Sequence, residues 1–156
     1  MRGAVSVALV LLLALVVAAA WGAPLLEGLV VKVVDGDTIH VRIGDRVEPV
    51  RYIGINTPEL HHPRKGEEPG GREAALRNGE LVASKRVRLE LDVQSRDRYG
   101  RLLAYVWVGD VLVNAELVRL GYAQVMTVPP NVRYQGLFLK LQREAREAAR
   151  GLWRRA

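Results

Sequence analysis

The sequence predicts a mainly β domain with helices, of the α+β class, built on a five-stranded barrel with about three helices and preceded by an N-terminal apolar leader helix. Two observations lead to this prediction. Five short apolar segments, most of them rich in β-branched residues, are separated by Asp-Gly, Gly-Asp and Tyr-Gly turn signals. One helical pattern lies between the third and fourth segments, and two more follow the fifth. This order of elements is typical of an OB-like barrel.

The first three strands are predicted to form a meander. Residues 28–35 are a Val-rich apolar run, and an Asp-Gly turn leads into the alternating segment Thr38–Ile43. A second turn at Gly44-Asp45 leads to the third strand, Val47–Ile55. In a meander, the first turn and the end of the third strand lie at the same end of the sheet.

A long polar segment separates this meander from the last two strands. Residues 58–71 are rich in Pro and Gly, which predicts a loop, and loops of this length are usually functional or disordered. A helix is expected over Arg72–Ala83, the fourth strand over Val87–Val93 and the fifth over Leu102–Val108.

Two helical patterns follow the fifth strand. The first covers Asn114–Leu120, with Asn114 as its predicted N-cap and Gly121 as its stop. The second runs from about Tyr134 to Ala149, and Gly151 ends it. Its predicted core face consists of Leu137, Leu141, Ala145, Ala148 and Leu152.

The N-terminal segment predicts export. No charged side chain occurs from Gly3 to Leu26, and residues 4–20 are almost entirely Val, Leu and Ala. Residues 1–23 are therefore interpreted as a signal peptide or as a retained N-terminal membrane anchor, and residues 24–156 as one domain. Both interpretations place the domain outside the cytoplasm, either secreted or anchored to the outer face of the cytoplasmic membrane.

The amino-acid composition excludes several kinds of functional site. The chain has 23 Lys and Arg against 17 Asp and Glu, a net charge of +6 that suits a binder of polyanions or simply a soluble protein. Without cysteine there is no disulfide, thiolate metal site or Cys nucleophile. His61 and His62 are too few ligands for a transition-metal site, so they are expected on a loop surface.

Oxygen-bearing side chains are predicted to meet at one end of the sheet. Asp37 lies in the first turn, and Asn56 and Glu59 follow the third strand. Oxygen ligands from these two places would suit a hard cation such as Ca²⁺. Arg51 and Arg101 lie on or beside two of the strands, and paired guanidinium N–H groups suit phosphate oxygens. The set contains what phosphodiester cleavage needs: a cation site, a water-activating group and phosphate donors.

Four motifs carry a family resemblance: DGDT at 35–38, RYIGINTPE at 51–59, DRYGRLLAYV at 97–106 and ARGLW at 149–153. In this order and spacing they resemble the staphylococcal nuclease (thermonuclease) family over about residues 27–153. The resemblance implies the barrel fold, Ca²⁺ dependence and hydrolysis of DNA or RNA, with single strands preferred. It also implies cleavage of the 5′-oxygen–phosphorus bond, which leaves 3′-phosphates.

The resemblance also implies roles for individual residues. Asp37 and Asn56 would hold the metal through their side chains, and Thr57 would do so through its backbone carbonyl. Glu59 would orient or deprotonate the attacking water, and both possibilities remain open. Arg51 and Arg101 would bind the phosphate, and Tyr99 would lie beside the bound nucleotide. Apart from the resemblance, Lys65 is a basic residue of the long loop that is expected to contact the nucleic acid.

Two positions depart from the family pattern. Asn56 replaces an Asp ligand, which removes one negative charge and predicts weaker metal affinity rather than no activity. The aromatic residues expected near Thr127 and Pro129 are absent, which weakens base stacking. Two alternatives stay open beside the nuclease: a catalytically inactive OB-like module that binds nucleic acid, and a surface-associated adhesion protein. A monomer is expected.

Overall fold

The computed structural model describes residues 25–154, so the predicted leader at residues 1–23 lies outside the described part of the chain. Three strands form the expected antiparallel meander: β1 (Leu25–Val33), β2 (Thr38–Ile43) and β3 (Arg46–Tyr52). Their register pairs Leu29 with Arg42 and Thr38 with Arg51. The first turn therefore lies beside the end of β3, as the sequence predicts.

The remaining elements follow the predicted order. Those after β3 are β4 (Ile55–Asn56), α1 (Gly71–Val82), β5 (Arg86–Glu90), β6 (Leu102–Val108), β7 (Val111–Leu112), α2 (Val113–Arg119), β8 (Gln124–Val125), α3 (Gln135–Glu147) and a 3-10 turn (Gly151–Trp153). The main sheet has the order β3-β2-β1-β5-β6-β7, and β4 pairs separately with β8. Within the described residues, no helix is long and apolar enough to cross a membrane.

A parallel pairing between β3 and β6 closes the barrel. Val50 pairs with Leu102, Arg51 with Leu103 and Tyr52 with Ala104. The five long strands thus form the predicted closed barrel, and the three helices pack outside it. The closure brings the end of β3 beside the start of β6, so two distant parts of the sequence meet.

The third strand ends earlier than the sequence predicts. The prediction of one strand over Val47–Ile55 is wrong at its end, because β3 stops at Tyr52 and β4 starts at Ile55. Gly54 adopts φ +78°, a left-handed conformation that favours glycine. A Cβ atom there would lie 2.8 Å from the ring of Phe138. The chain therefore turns at Gly54, and α3 packs against the turn.

Asn114 is not a helix cap. The helix α2 begins at Val113 after Leu112, and the Asn114 side chain is fully buried. Its Oδ1 accepts the Val106 N–H at 2.9 Å, and its Nδ2 donates to the Ile53 carbonyl at 2.9 Å. The local sequence resembles a cap, but the side chain instead satisfies backbone groups of the barrel end.

The core face of α3 also differs from the predicted stripe. Phe138 and Ala145 are buried and Leu141 packs against the core, whereas Leu137 is 43% exposed and Ala148 is exposed. A single Phe, which apolar spacing alone did not select, supplies the main contact. The rest of the core comes mainly from the inward faces of the barrel strands and from α2, and α1 adds Val82.

Candidate active site

A cavity of about 580 Å³ lies where the first turn, the end of β3 and the start of β6 meet. Six of the predicted side chains line it: Asp37, Arg51, Asn56, Glu59, Tyr99 and Arg101. Asp35 and Asp97 also line the cavity, and although both lie in the quoted motifs, neither has a predicted role in the site. The fold therefore gathers the predicted acids and arginines into one cleft.

Asp37 is a buried carboxylate held by donors on three sides. It is 4% exposed, and its Oδ2 accepts the Thr57 N–H at 2.8 Å. Oδ1 accepts the Thr38 hydroxyl at 3.1 Å, and Arg51 Nη2 lies 3.2 Å from Oδ2. The hydrogen bond to Thr57 links the turn after β1 to the chain after β4. This fixes the distance between two of the predicted metal positions.

Arg51 is anchored so that its guanidinium has one orientation. Its side chain is 12% exposed, and Nη1 donates to the carbonyls of Tyr52 and Ile55, both at 3.0 Å. Nη2 donates to Asn56 Oδ1 at 3.1 Å. The turn at Gly54 makes the Ile55 carbonyl available for this contact. The break in the third strand therefore orients the predicted phosphate ligand.

Asp35 adds a second carboxyl group beside Asp37. Burial and the neighbouring Asp37 carboxylate raise the pKa of Asp35 to about 6. Its Oδ1 accepts the Asp37 N–H at 3.1 Å, and its backbone carbonyl accepts Asn78 Nδ2 at 2.9 Å. Sequence reasoning treated Asp35 as a turn residue, and the turn hydrogen bond to Asp37 is indeed present. The signal that could have found Asp35 is the DGD motif itself, which places it two positions before the predicted ligand Asp37.

Arg101 is held by Asp97 on the opposite side of the cleft. Asp97 Oδ2 accepts Arg101 Nε at 2.7 Å, and Oδ1 accepts the backbone N–H groups of Tyr99 and Arg101. Partial burial acts to raise the pKa of Asp97, but the hydrogen bonds from Arg101 outweigh it, and the net shift is downward. Asp97 thus remains charged and keeps one edge of the guanidinium occupied, which aims the rest of the group.

Tyr99 presents its ring at the mouth of the cleft. The residue is 68% exposed, and the guanidinium carbons of Arg98 and Arg101 lie 4.8 and 5.5 Å from its ring centre. Arg98 Nη2 also donates to the Tyr99 hydroxyl at 2.6 Å. An exposed ring beside two cations suits contact with a nucleotide.

The structure does not bring every predicted residue into the main cleft. Thr57 and Lys65 line a neighbouring cavity of about 440 Å³, and Asn56 borders both cavities. Lys65 Nζ lies 3.9 Å from Glu68. His62 Nδ1 accepts the backbone N–H groups of Arg64 and Lys65, both at 3.1 Å, so that side chain closes a loop turn, in agreement with its predicted surface role.

The donor set of the cleft fits a hard cation. Asp35, Asp37 and Asn56 offer side-chain oxygens, and Thr57 offers a backbone carbonyl, which are ligands that Ca²⁺ prefers. The hydroxyl of Thr57 is buried without a hydrogen-bond partner among residues 25–154. No group of three or more His, Cys, Asp or Glu side chains suited to a metal occurs in that range.

Comparisons with known proteins place the chain in a family. The family of staphylococcal nuclease homologues matches residues 49–155. The thermonuclease of Staphylococcus intermedius is 40% identical over 127 residues, covering 81% of this chain and 76% of that protein. The thermonuclease of Staphylococcus hyicus is 38% identical, covering 80% and 73%. The SPbeta prophage-derived endonuclease YokF of Bacillus subtilis is 43% identical, covering 78% and 42%. With the barrel and the acid–arginine cleft, these matches show that the chain belongs to the staphylococcal nuclease family.

Proposed function

We propose that the protein is an exported, Ca²⁺-dependent nuclease that hydrolyses phosphodiester bonds of DNA, RNA or both. The observation that carries the proposal is the cleft in which Arg51 and Arg101 face Asp37 and Glu59. Relatives named thermonuclease and endonuclease support the same reaction class. Nuclease activity requires all of these groups in one place, whereas a binding module would require only the basic ones.

The two arginines bind the scissile phosphate. Arg51 is only partly exposed, and two backbone carbonyls fix its side chain, so it loses little conformational entropy when substrate binds. Arg101 is fixed through Asp97 and lies nearer the exposed ring of Tyr99. Guanidinium groups stay charged throughout and donate paired N–H groups to phosphate oxygens. They stabilise the negative charge on the phosphate oxygens as water attacks phosphorus and the bond to the leaving oxygen breaks.

Glu59 supplies the group that acts on water. Glu59 is the exposed carboxylate among the described residues that line the cleft, and it forms no ion pair with an arginine among residues 25–154. A carboxylate in this position accepts a hydrogen bond from the attacking water, and it either orients that water or removes its proton.

Calcium would be held by Asp37, Asn56 and the Thr57 carbonyl, with Asp35 close enough in the chain to add a further carboxylate. When bound, the ion supplies positive charge to a phosphate oxygen and favours ionisation of water. Arg51 touches both Asp37 and Asn56, so its charge balances these oxygens in the absence of the ion. The family resemblance extends the proposal to cleavage of the 5′-oxygen–phosphorus bond, to 3′-phosphate products and to a preference for single strands.

The decisive experiment measures release of acid-soluble fragments from single-stranded DNA by the purified full-length chain in mild detergent. Reactions contain Ca²⁺ or a chelator, and Arg101→Ala and Arg46→Ala run in parallel. Arg46 is an exposed arginine of the same barrel outside the cleft, so its loss is expected to leave the rate unchanged. Calcium-dependent cleavage that only Arg101→Ala abolishes supports the proposal. Salt-sensitive binding without cleavage would contradict it and favour the inactive module.

Product chemistry and export have separate tests. If the 3′-phosphate assignment is correct, the fragments carry free 5′-hydroxyl groups and accept label from a polynucleotide kinase without prior phosphatase treatment. Export through the leader at residues 1–23 predicts that the protein is digested when intact cells, stripped of any outer layer, are treated with protease. Labelling only after phosphatase treatment, or protection of the protein in such cells, would contradict the respective assignment.

A further inference from the structure

We propose that Glu68 is a positioning residue that fixes the backbone of Glu59 and thereby aims its carboxylate into the cleft. The inference rests on the proposed function, since it gives Glu59 the task of acting on water. It adds a residue from the long loop that neither the sequence motifs nor the cleft lining had selected.

The two glutamates hold each other by a reciprocal pair of hydrogen bonds. Glu68 Oε2 accepts the Glu59 backbone N–H at 3.0 Å. In return, the backbone N–H of Glu68 donates to the Glu59 carbonyl at 2.9 Å. One residue therefore satisfies both backbone groups of Glu59, across nine positions of a loop that has no regular secondary structure of its own.

The start of α1 supports the same backbone from the other side. Gly71 is buried at the first position of the helix, and a Cβ atom there would lie 2.5 Å from the Glu59 carbonyl oxygen. The preceding Gly70 has φ +87°, and a Cβ there would meet the side chain of Leu152. The backbone of Glu59 therefore packs closely against the first residue of α1. Leu152 packs against Gly70, the residue before this helix.

This backbone clamp matters because the Glu59 side chain has no other restraint. Its carboxylate makes no hydrogen bond or ion pair with any group of residues 25–154, and the residue is exposed. An unrestrained carboxylate samples several rotamers, and its mean position then depends on where its Cα is held. The hydrogen bond from the Glu59 N–H to Glu68 has a charged carboxylate as its acceptor, so it is stronger than a hydrogen bond to a neutral acceptor.

The test compares Glu68→Ala with Glu68→Gln in the full-length chain, with single-stranded DNA and Ca²⁺. Removing the acceptor frees the Glu59 backbone, and we expect kcat to fall about 10-fold to 100-fold with little change in KM. An amide oxygen still accepts the N–H, so Glu68→Gln is expected to keep most of the activity. A residue that acts on substrate binding would change KM instead.

Glu67→Ala is the matched control. Glu67 is the adjacent loop carboxylate and it pairs at 2.9 Å with Arg72, outside the Glu59–Glu68 contact. Its loss is expected to leave kcat unchanged. Equal losses in Glu67→Ala and Glu68→Ala would show a general effect of loop charge and overturn the inference. Thermal unfolding of each variant separates loss of fold from loss of positioning.

A second variant and a double mutant complete the test. Gly71→Ala displaces the Glu59 carbonyl and leaves the Glu68 side chain unchanged, although Gly71 N–H also donates to the Glu68 carbonyl at 2.9 Å. It is expected to lower kcat as Glu68→Ala does. In the Glu59→Gln background, Glu68→Ala is expected to cause little further loss. If Glu59→Gln alone keeps full turnover, the proposed function of Glu59 fails. If it loses turnover while Glu68→Ala and Gly71→Ala retain it, only the present inference fails.

Discussion

Replacing Asn56 by Asp tests whether this position is a ligand of the cation. The Asn56 Oδ1 atom lies 3.1 Å from Arg51 Nη2, and the same nitrogen lies 3.2 Å from Asp37 Oδ2. A carboxylate at position 56 would add one negative charge to the cleft. We expect Asn56→Asp to lower the Ca²⁺ concentration that gives half-maximal nuclease rate.

The size of the effect follows from the charges around the site. Two unit charges about 4 Å apart interact by about 4 kcal/mol at an effective dielectric constant of about 20, and the double charge of Ca²⁺ doubles this attraction. Part of this is lost, because a new carboxylate at position 56 would also pair with Arg51, which the cation must then displace. A net gain of about 1.4 to 2.8 kcal/mol remains, which corresponds to a 10-fold to 100-fold lower Ca²⁺ requirement.

The assay titrates the initial rate of single-stranded DNA cleavage with Ca²⁺, and thermal unfolding with Ca²⁺ gives an independent measure of binding. Gln124→Glu is the control, because Gln124 is exposed and pairs with Asn56 across β4 and β8. It adds the same charge nearby without offering a ligand in the cleft. Equal shifts in both variants would refute direct ligation by Asn56, and so would an unchanged or higher Ca²⁺ requirement in Asn56→Asp.

Three further changes probe the site and its support. Glu59→Gln is expected to keep DNA binding by filter retention while turnover falls at least 100-fold, since the charge is lost and the shape is kept; unchanged turnover would remove Glu59 from the reaction. Asp97→Asn is expected to lower kcat about 10-fold with KM unchanged or lower, because Arg101 loses its charged brace but not its own charge; a rise in KM alone would contradict this. Asn114→Ala is expected to cost about 2 to 4 kcal/mol of unfolding free energy by urea titration, because the Val106 N–H is left buried without an acceptor; a cost below about 0.5 kcal/mol would show that the site relaxes.

The parts of the site that lie on consecutive strands could be predicted from the sequence. A meander places the first turn and the end of its third strand at one end of a sheet, so Asp37, Asn56 and Glu59 were expected together. Arg101 was expected in the same set because it precedes a predicted strand and its guanidinium suits phosphate, and the family resemblance implies the same role. The structure supplies the physical reason, which is the parallel pairing that sets Arg51 beside Leu103. Such pairing joins residues 52 positions apart, and no local pattern encodes it.

The supporting groups were missed because each has an adequate local explanation. Asp35 and Asp97 both form the short side-chain turns that Asp forms in any loop, so their second contacts could not be inferred from spacing. Asn114 has the residue type and position of a helix cap, yet its partners are carbonyl and amide groups of distant strands. Glu68 lies in a polar loop whose course depends on how Gly71 meets the chain after β4.

Gly54 connects the fold to the chemistry, and its replacement tests that connection. Left-handed φ costs an alanine roughly 1 kcal/mol, and a Cβ at Gly54 would also lie 2.8 Å from Phe138. Gly44 has a similar φ of +58° with nothing within 4 Å, so Gly44→Ala isolates the backbone cost.

We expect Gly44→Ala to lose about 1 kcal/mol of unfolding free energy with normal kcat, and Gly54→Ala to lose about 2 to 4 kcal/mol. Gly54→Ala also shifts the Ile55 carbonyl, which accepts a hydrogen bond from Arg51, so the KM of this variant for DNA is expected to rise. Equal losses of unfolding free energy in the two variants would show that Phe138 moves away from the added Cβ atom at little cost. A normal KM in Gly54→Ala would show that Arg51 keeps its orientation without the turn, and the strand break would then serve packing alone.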